Sequence, residues 1–383
     1  MKKCNLYIHI GTPKTGTSAI QNFLYENREV LKAHRVLVPQ FPLKYPNVRK
    51  VKNGHFLTSH VFNKDIADEC MREINTYALD YSTIILTSET LFNVGLNDKN
   101  FWDYMKQALD TSRIQMKVVV YLRRQDTYLL SYWQQKIKES KARTKSFDEY
   151  IQEEYLENHF DYRAYLDKIL ECGYGLLGQE DLIVRPYERP QFVHHDLMAD
   201  FMHAIGIQDQ KEFVSPKKTA NASIRDVVLE AKRFLNKVYG FRKTGNNMIP
   251  LQIKVQSQLD KEGRLGHRSG FTKERRQAFY NRYKEGNDEI ARLYLHKEGP
   301  LFDDETIDDL ETEAKFTYNE LDYVYSLMLQ FNDNGKTTKI SDAKLQFFIK
   351  KALKKKIRDD LKHKYPFLLT IRNFLKPKYK ELS

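Results

Sequence analysis

The chain has 383 residues, 41% hydrophobic and 30% charged, a balance that suits a large globular core, and no apolar run approaches the ~20 residues of a bilayer-crossing helix. Its three cysteines, Cys4, Cys70 and Cys172, are widely spaced with no Cys-x-x-Cys pair, which excludes a disulfide framework or a cysteine-based zinc site. Of the +12 formal charge, nearly all sits in residues 336–383, with 15 Lys and Arg against 4 Asp and Glu, so the body of the chain lacks the basic surface of a nucleic-acid binder.

Met1-Lys2-Lys3 opens like a secretory leader, but the apolar stretch behind it stops at Gly11, too early for a full hydrophobic region. The expectation is a protein made and kept in a cytoplasm. Cys4 to Ile10 reads as a buried strand, followed by a turn rich in Gly, Thr and Pro and a helix over 18–31 with Ile20, Phe23, Leu24 and Leu31 on one face. A short strand follows at 36–38, then a proline-rich loop over 39–54 and a helical pattern over 55–79. Strands are expected at 83–86, 116–122 and 182–185, and helices at 101–109, 126–139, 147–155 and 162–172. From 197 onward the pattern is helical: 197–205, 224–239, 250–262, 273–296, 317–330 and 343–363.

Apolar strands alternating with helices predict an α/β fold, a parallel β-sheet flanked by helices, with a helical C-terminal extension. The composition shift sets the expected division at a domain over 1–335 and a basic helical tail over 336–383.

Gly11-Thr-Pro-Lys-Thr-Gly-Thr-Ser18 lies between the first strand and the first helix. A loop so placed turns backbone N–H groups and a helix N-terminus toward a phosphate. Gly11 and Gly16 have the spacing of a nucleoside-triphosphate loop, yet Thr17 stands where that loop needs lysine, and the one lysine present, Lys14, lies inside it. The later strands run into Ser88-Glu89 and Arg123-Arg124 instead of a magnesium-holding aspartate. A phosphotransferase or kinase therefore stays an alternative only, beside a non-catalytic nucleotide-binding relic of the fold.

Pro13-Lys14-Thr15-Gly16-Thr17-Ser18 resembles the 5′-phosphosulfate loop of the sulfotransferase superfamily, whose members use 3′-phosphoadenosine-5′-phosphosulfate (PAPS). Lys117-Val-Val-Val-Tyr-Leu-Arg123-Arg124, with Ser131 eight residues beyond Arg123, resembles that family's 3′-phosphate motif. The chemistry suits the residues: the bridging oxygen of the leaving phosphate gains charge as the S–O bond breaks, and an ammonium aimed there favours the transition state. A guanidinium at a strand's carboxyl end fits a dianionic phosphate. A sulfuryl group carries one negative charge, so no metal is expected. Arg124 is expected to face solvent.

The resemblance implies a P-loop NTPase-like sulfotransferase fold, PAPS as co-substrate and Pro13, Lys14, Thr15, Gly16, Thr17, Ser18, Arg123 and Ser131 as its contacts. It extends more loosely to the strand Asp181-Leu-Ile-Val-Arg-Pro-Tyr-Glu188 and to a basic, glycine-punctuated loop over 264–271 that would close on the nucleotide. The loop and the Tyr-Leu-Arg-Arg-Gln strand end are similar to those of bacterial enzymes that sulfate surface or capsular polysaccharides, which implies a glycan acceptor, or its precursor, with Trp133 as a candidate cleft residue.

An acceptor hydroxyl must lose a proton, so a His or Glu is needed nearby. His55, after the long loop, and Glu89, beyond the third strand, are both candidates. His9 reads as a buried, hydrogen-bonded histidine, and His194-His195 as loop residues. His55 and His60 are five apart, off one helical face, and are rejected as a metal pair. The tail mixes basic and apolar residues, which fits either contact with an anionic membrane surface or a solvated basic helix packed back on the body.

Overall fold

The structure is a computed structural model describing residues 3–41, 51–58, 62–94, 96, 98–138, 143–152, 160–207, 212–214, 224–239, 248–265, 268, 271–303, 316–333, 335–338 and 340–364. Its contacts divide the chain into two compact units: Met1–Leu129 with Tyr155–Ala220 and Gln277–Thr306, and Leu130–Glu154 with Asn221–Arg276 and Ile307–Ser383. The expected tail, 336–383, falls within the second.

The first unit is built on a five-stranded, wholly parallel sheet. Its strands are β1 (Cys4–Gly11), β2 (Val36–Leu37), β3 (Thr83–Thr87), β4 (Ile114–Leu122) and β5 (Leu182–Pro186), in the order β2-β3-β1-β4-β5. β1 is central, and its burial on both faces explains its unbroken apolar run, since helices cover each side of a parallel sheet. The register pairs His9 with both Thr87 and Val119, Gly11 with Tyr121 and Leu122 with Pro186. The carboxyl ends of β1, β3, β4 and β5 thus emerge along one edge. Crossing from β3 over β1 to β4 reverses the direction in which strands are added, and ligand crevices form outside the carboxyl ends at such a point.

Helices α1 (Thr17–Glu26), α2 (Arg28–Ala33), α3 (Lys64–Tyr77), α4 (Thr90–Val94) and α5 (Lys99–Ala108) intervene between the first four strands, and α8 (Tyr162–Cys172) precedes β5. α9 (Leu197–Ala204) and α13 (Lys284–Leu295) complete the helices that lie wholly in this unit together with α12 (Lys273–Asn281), most of which does. Ile20, Phe23 and Leu24 of α1 pack with Tyr7, Val119, Tyr121, Phe201 and Met202 in one core cluster, each side chain contributing roughly 1.5–3 kcal/mol by burial.

The expected helix over 18–31 is two helices. Asn27 divides them: its amide donates to the carbonyls of Phe23 and Val214 and accepts from Val214 N, and a side chain that competes for backbone partners ends a helix. The helix expected over 55–79 is a single 3-10 turn, His55–Leu57, and then α3, which starts at Lys64 because Asn63 caps it by accepting from Ile66 N. The span 273–296 divides into α12 and α13. That expected over 147–155 is α7 (Phe147–Tyr150), and residues 153–159 lie outside the described ones.

The second unit is helical. α7, α10 (Asp226–Tyr239), α11 (Ile249–Lys261), α14 (Tyr318–Asn332) and α15 (Asp342–Lys364) belong to it, and the division falls inside α6 (Gln125–Lys138), after Leu129. α10, α14 and α15 pack against one another, and α11 packs on α14. Tyr325 of α14 donates to the Ala231 carbonyl, and Arg268 bridges Asp226 and Glu320.

Candidate functional site

The site grows out of the end of β1. Thr12 anchors the loop to β4 twice, through its N–H and its hydroxyl, both donating to the Tyr121 carbonyl at 3.3 and 3.1 Å. Thr15 then folds back, its N–H and hydroxyl both donating to the Thr12 carbonyl at 3.2 and 2.6 Å. Between them Lys14 is held at φ 75° and Gly16 at φ 73°. For Lys14 this left-handed conformation costs roughly 1–2 kcal/mol, the kind of strain that concentrates at ligand sites. Gly16 is required twice over, because a Cβ there would also run into Leu197 Cδ2 and approach Tyr187.

α1 begins directly from this bend. Its N-cap, Gly16, has no side chain to cap it, and its first turn holds no acidic residue, so the positive end of the helix dipole is not neutralised there. Thr17 Oγ1 is buried with no hydrogen-bond partner among the described residues. A Cβ on Gly11 would meet that hydroxyl and the one of Thr15, each at 2.5 Å. Ser18 is half-buried in the first turn, Pro13 is half-buried in the bend, and Lys14 is exposed.

The second strand end closes on the first. Arg123, just past β4, donates from Nη1 to the Lys14 carbonyl at 3.0 Å and from Nε to Thr127 Oγ1 at 3.1 Å. Among the described residues Nη2 has no partner, which leaves part of the fork available to a ligand. Tyr162 donates to the Arg123 carbonyl at 2.6 Å. Burial lowers the Arg123 pKa, and the neighbouring Tyr187, Tyr162 and Asp126 act the other way; a guanidinium remains charged throughout the physiological range. Sequence reasoning missed Thr127, Tyr162 and Tyr187 as companions of Arg123. Thr127, at i+4 on the helix that follows, was the one with a readable signal.

Arg124 is a correction. Expected at the surface, it is 2% exposed, paired with Asp126 at 3.0 Å and donating to the Asp303 carbonyl at 3.0 Å, with its guanidinium 4.2 Å from the Tyr280 ring centroid. Successive residues at this strand end point opposite ways, so one arginine reaches the loop and the other the interior.

At the end of β3, Gly54 N–H donates to the Thr87 carbonyl at 3.2 Å, and Asn53 accepts from Thr87 N at 2.8 Å while donating to the Ile85 carbonyl at 2.9 Å. Residues 53–54 thus lie along the strand's end and carry His55 there; a Cβ on Gly54 would press on Thr87 backbone at 3.2–3.3 Å. Glu89, two residues past β3, accepts from Lys52 Nζ at 3.2 Å. Both base candidates therefore belong to one strand end, beside the strand that leads to Lys14. Lys52 was not foreseen.

His9 is fully buried, with Nδ1 3.0 Å from Thr87 Oγ1 and its ring edge-on to Phe201; burial lowers its pKa to about 3. His194 and His195 lie on an exposed 3-10 turn. His60 lies outside the described residues, as do 266, 267, 269 and 270 of the expected closing loop. Within the second unit, Arg264 lies over the Tyr323 ring and Arg268 is ion-paired. Ser131 is half-buried on α6, in the part of that helix belonging to the second unit. Trp133, expected in a cleft, is buried in the second unit, donating to the Lys145 carbonyl and packing edge-on to Phe147.

No protein-family model matches the chain. An uncharacterized protein of Archaeoglobus fulgidus is 26% identical over 213 residues, which is 55% of this chain and 54% of the relative, so the chain spans about half the length of the curated relative it matches. Among solved structures, a sulfotransferase from Alicyclobacillus acidocaldarius aligns with 57% of this chain and 86% of its own at 15% identity and a TM-score of 0.34. That overlap is too loose to transfer an activity.

Proposed function

We propose that this protein is a sulfotransferase that moves a sulfuryl group from PAPS to a hydroxyl or amine of a glycan, a surface or capsular polysaccharide or its precursor. The observation that carries the reading is the Arg123–Lys14 hydrogen bond: it draws a cation from the end of β4 to a lysine-bearing bend at the end of β1, directly before an uncapped helix. Two cations and a helix N-terminus at adjoining strand ends suit a nucleotide with phosphates at both its 3′ and 5′ positions.

The residues fit that co-substrate. The buried, unpartnered Thr17 hydroxyl needs a partner, and a bound 5′-phosphate supplies one. Gly11 and Gly16 let the bend pack closely, since a Cβ at either would press on Thr15, Thr17 or Leu197. In this reading Pro13 to Ser18 hold the 5′-phosphosulfate, and Arg123 holds the 3′-phosphate. The acceptor oxygen attacks sulfur, the bond from sulfur to the phosphate oxygen breaks, and adenosine 3′,5′-bisphosphate leaves with the bond's electrons. The Lys14 ammonium stabilises the charge gathering on that oxygen. His55 or Glu89 takes the acceptor's proton. Magnesium has no necessary part, since the transferred group bears a single charge.

Calorimetry decides the donor. Adenosine 3′,5′-bisphosphate is expected to bind and ATP with magnesium to bind far more weakly; the reverse order would establish the phosphotransferase alternative. Transfer of labelled sulfate from PAPS to a cell extract, lost in Lys14→Ala, separates an enzyme from a nucleotide-binding relic.

A further inference from the structure

The C-terminal helix α15 has two faces of different chemistry. Leu345, Ile349, Ala352 and Leu353 are buried where α15 packs against α10 and α14. Asp359 holds the helix in place by pairing with Lys237 of α10 at 3.1 Å. The opposite face carries Lys344, Phe347, Lys350, Lys351, Lys354, Ile357, Arg358 and Leu361, all exposed and spaced at three and four so that they form one stripe along the helix.

That stripe holds five cations and no acid. The two acids within residues 344–361, Asp359 and Asp360, lie off the stripe and are taken up by Lys237, Lys355 and Lys356. Among the described residues Lys344, Lys350, Lys354 and Arg358 make no ion pair, and Lys351 only overhangs the Phe347 ring at 4.4 Å. A solvated basic helix would show charge alone. Here Phe347 is 53% exposed, Ile357 43% and Leu361 46%, large apolar side chains placed among the lysines. Cations with long apolar stems between such groups match a surface that is anionic in its headgroups and apolar just beneath them. A nucleic-acid backbone offers the charge but nothing for the Phe, Ile and Leu side chains. No helix among the described residues is long and apolar enough to cross a membrane, so the contact is of a helix lying flat.

We infer that the exposed face of α15 docks this protein on an anionic lipid bilayer, with its lysines and Arg358 at the headgroups and Phe347, Ile357 and Leu361 seated below them. The inference stands apart from the sulfuryl-transfer reading and survives its failure.

Sedimentation of the full chain with phosphatidylcholine vesicles, with and without phosphatidylserine, tests it. Pelleting with the anionic vesicles only, weakening as salt rises, is expected. Lys350→Glu with Lys354→Glu lowers the partition by about tenfold or more, whereas Lys350→Arg with Lys354→Arg retains it. Phe347→Ser with Leu361→Ser lowers it by roughly severalfold and leaves less bound at high salt. Thermal unfolding that coincides with the wild type's shows that each variant keeps its fold; should one not, the salt series and the arginine pair decide. No pelleting at low salt, equal pelleting with neutral vesicles, or displacement by a soluble polyanion without any contribution from Phe347 and Leu361 would overturn the inference.

Discussion

Arg123 and Lys14 are 109 positions apart, and one hydrogen bond at 3.0 Å joins them. The guanidinium has two tasks on this reading, to brace a left-handed bend and to offer Nη2 to the 3′-phosphate. Arg123→Ala is therefore expected to weaken adenosine 3′,5′-bisphosphate binding by at least ~1.5 kcal/mol, because a charged partner is stripped from a phosphate; unchanged affinity by calorimetry would remove Arg123 from the site. The base is a second question at this scale. His55→Ala and Glu89→Gln are expected to differ sharply: the variant lacking the base loses about 10²–10⁴ in turnover with nucleotide affinity intact, and the other changes little. Equal, mild effects in both would place the proton acceptor elsewhere. Glu89 enters that comparison already paired with Lys52, a partner that loss of Glu89 leaves behind at the strand end.

The strands and helices hold these residues through groups that never touch a ligand. Arg124 ties the start of α6 to Asp303 and Asp126 while stacked on Tyr280. Arg124→Met leaves Asp126 buried without that charge partner, and a loss of about 3–5 kcal/mol is expected in urea unfolding; a loss below ~1 kcal/mol would mean that the pair contributes nothing net. His9 links β1 to β3 through Thr87. In the folded protein burial keeps it neutral down to about pH 3, whereas in the unfolded chain it takes a proton below about 6.5. Between those values the unfolded state binds more protons. The contribution is complete above pH 6.5 and is lost as pH falls toward 3, at up to about 1.4 kcal/mol per pH unit. His9→Gln should flatten that part of the stability profile relative to the wild type; profiles that stay parallel would show that His9 protonates as easily folded as unfolded.

For the whole molecule, a ligand that binds only the folded state raises the unfolding temperature. At a hundredfold excess over its dissociation constant, adenosine 3′,5′-bisphosphate should add about 2.7 kcal/mol of stability and shift the melting transition upward in a thermal scan, while ATP leaves it in place; no shift at saturating nucleotide would contradict binding. The two compact units make it informative to ask which transition moves, since the loop, Arg123 and both base candidates lie in the first unit and Ser131 in the second. Much of this architecture was legible beforehand. The strands of the sheet and most helices lie where apolar runs and 3.6-residue spacing put them, because burial of one face is written into the order of residues. The misses fall at junctions: Asn27 divides a helix by hydrogen-bonding to Val214, a residue remote in sequence, and Trp133 and Arg124 went inside. Local pattern does not report on partners supplied from a distance. By itself, then, the sequence determined the parallel α/β core and the loop with a lysine where a kinase has none. Only the tertiary structure decided that Arg123 meets Lys14, that Arg124 does not, and that His55 and Glu89 share one strand end, because each depends on which chain segments the sheet order sets side by side.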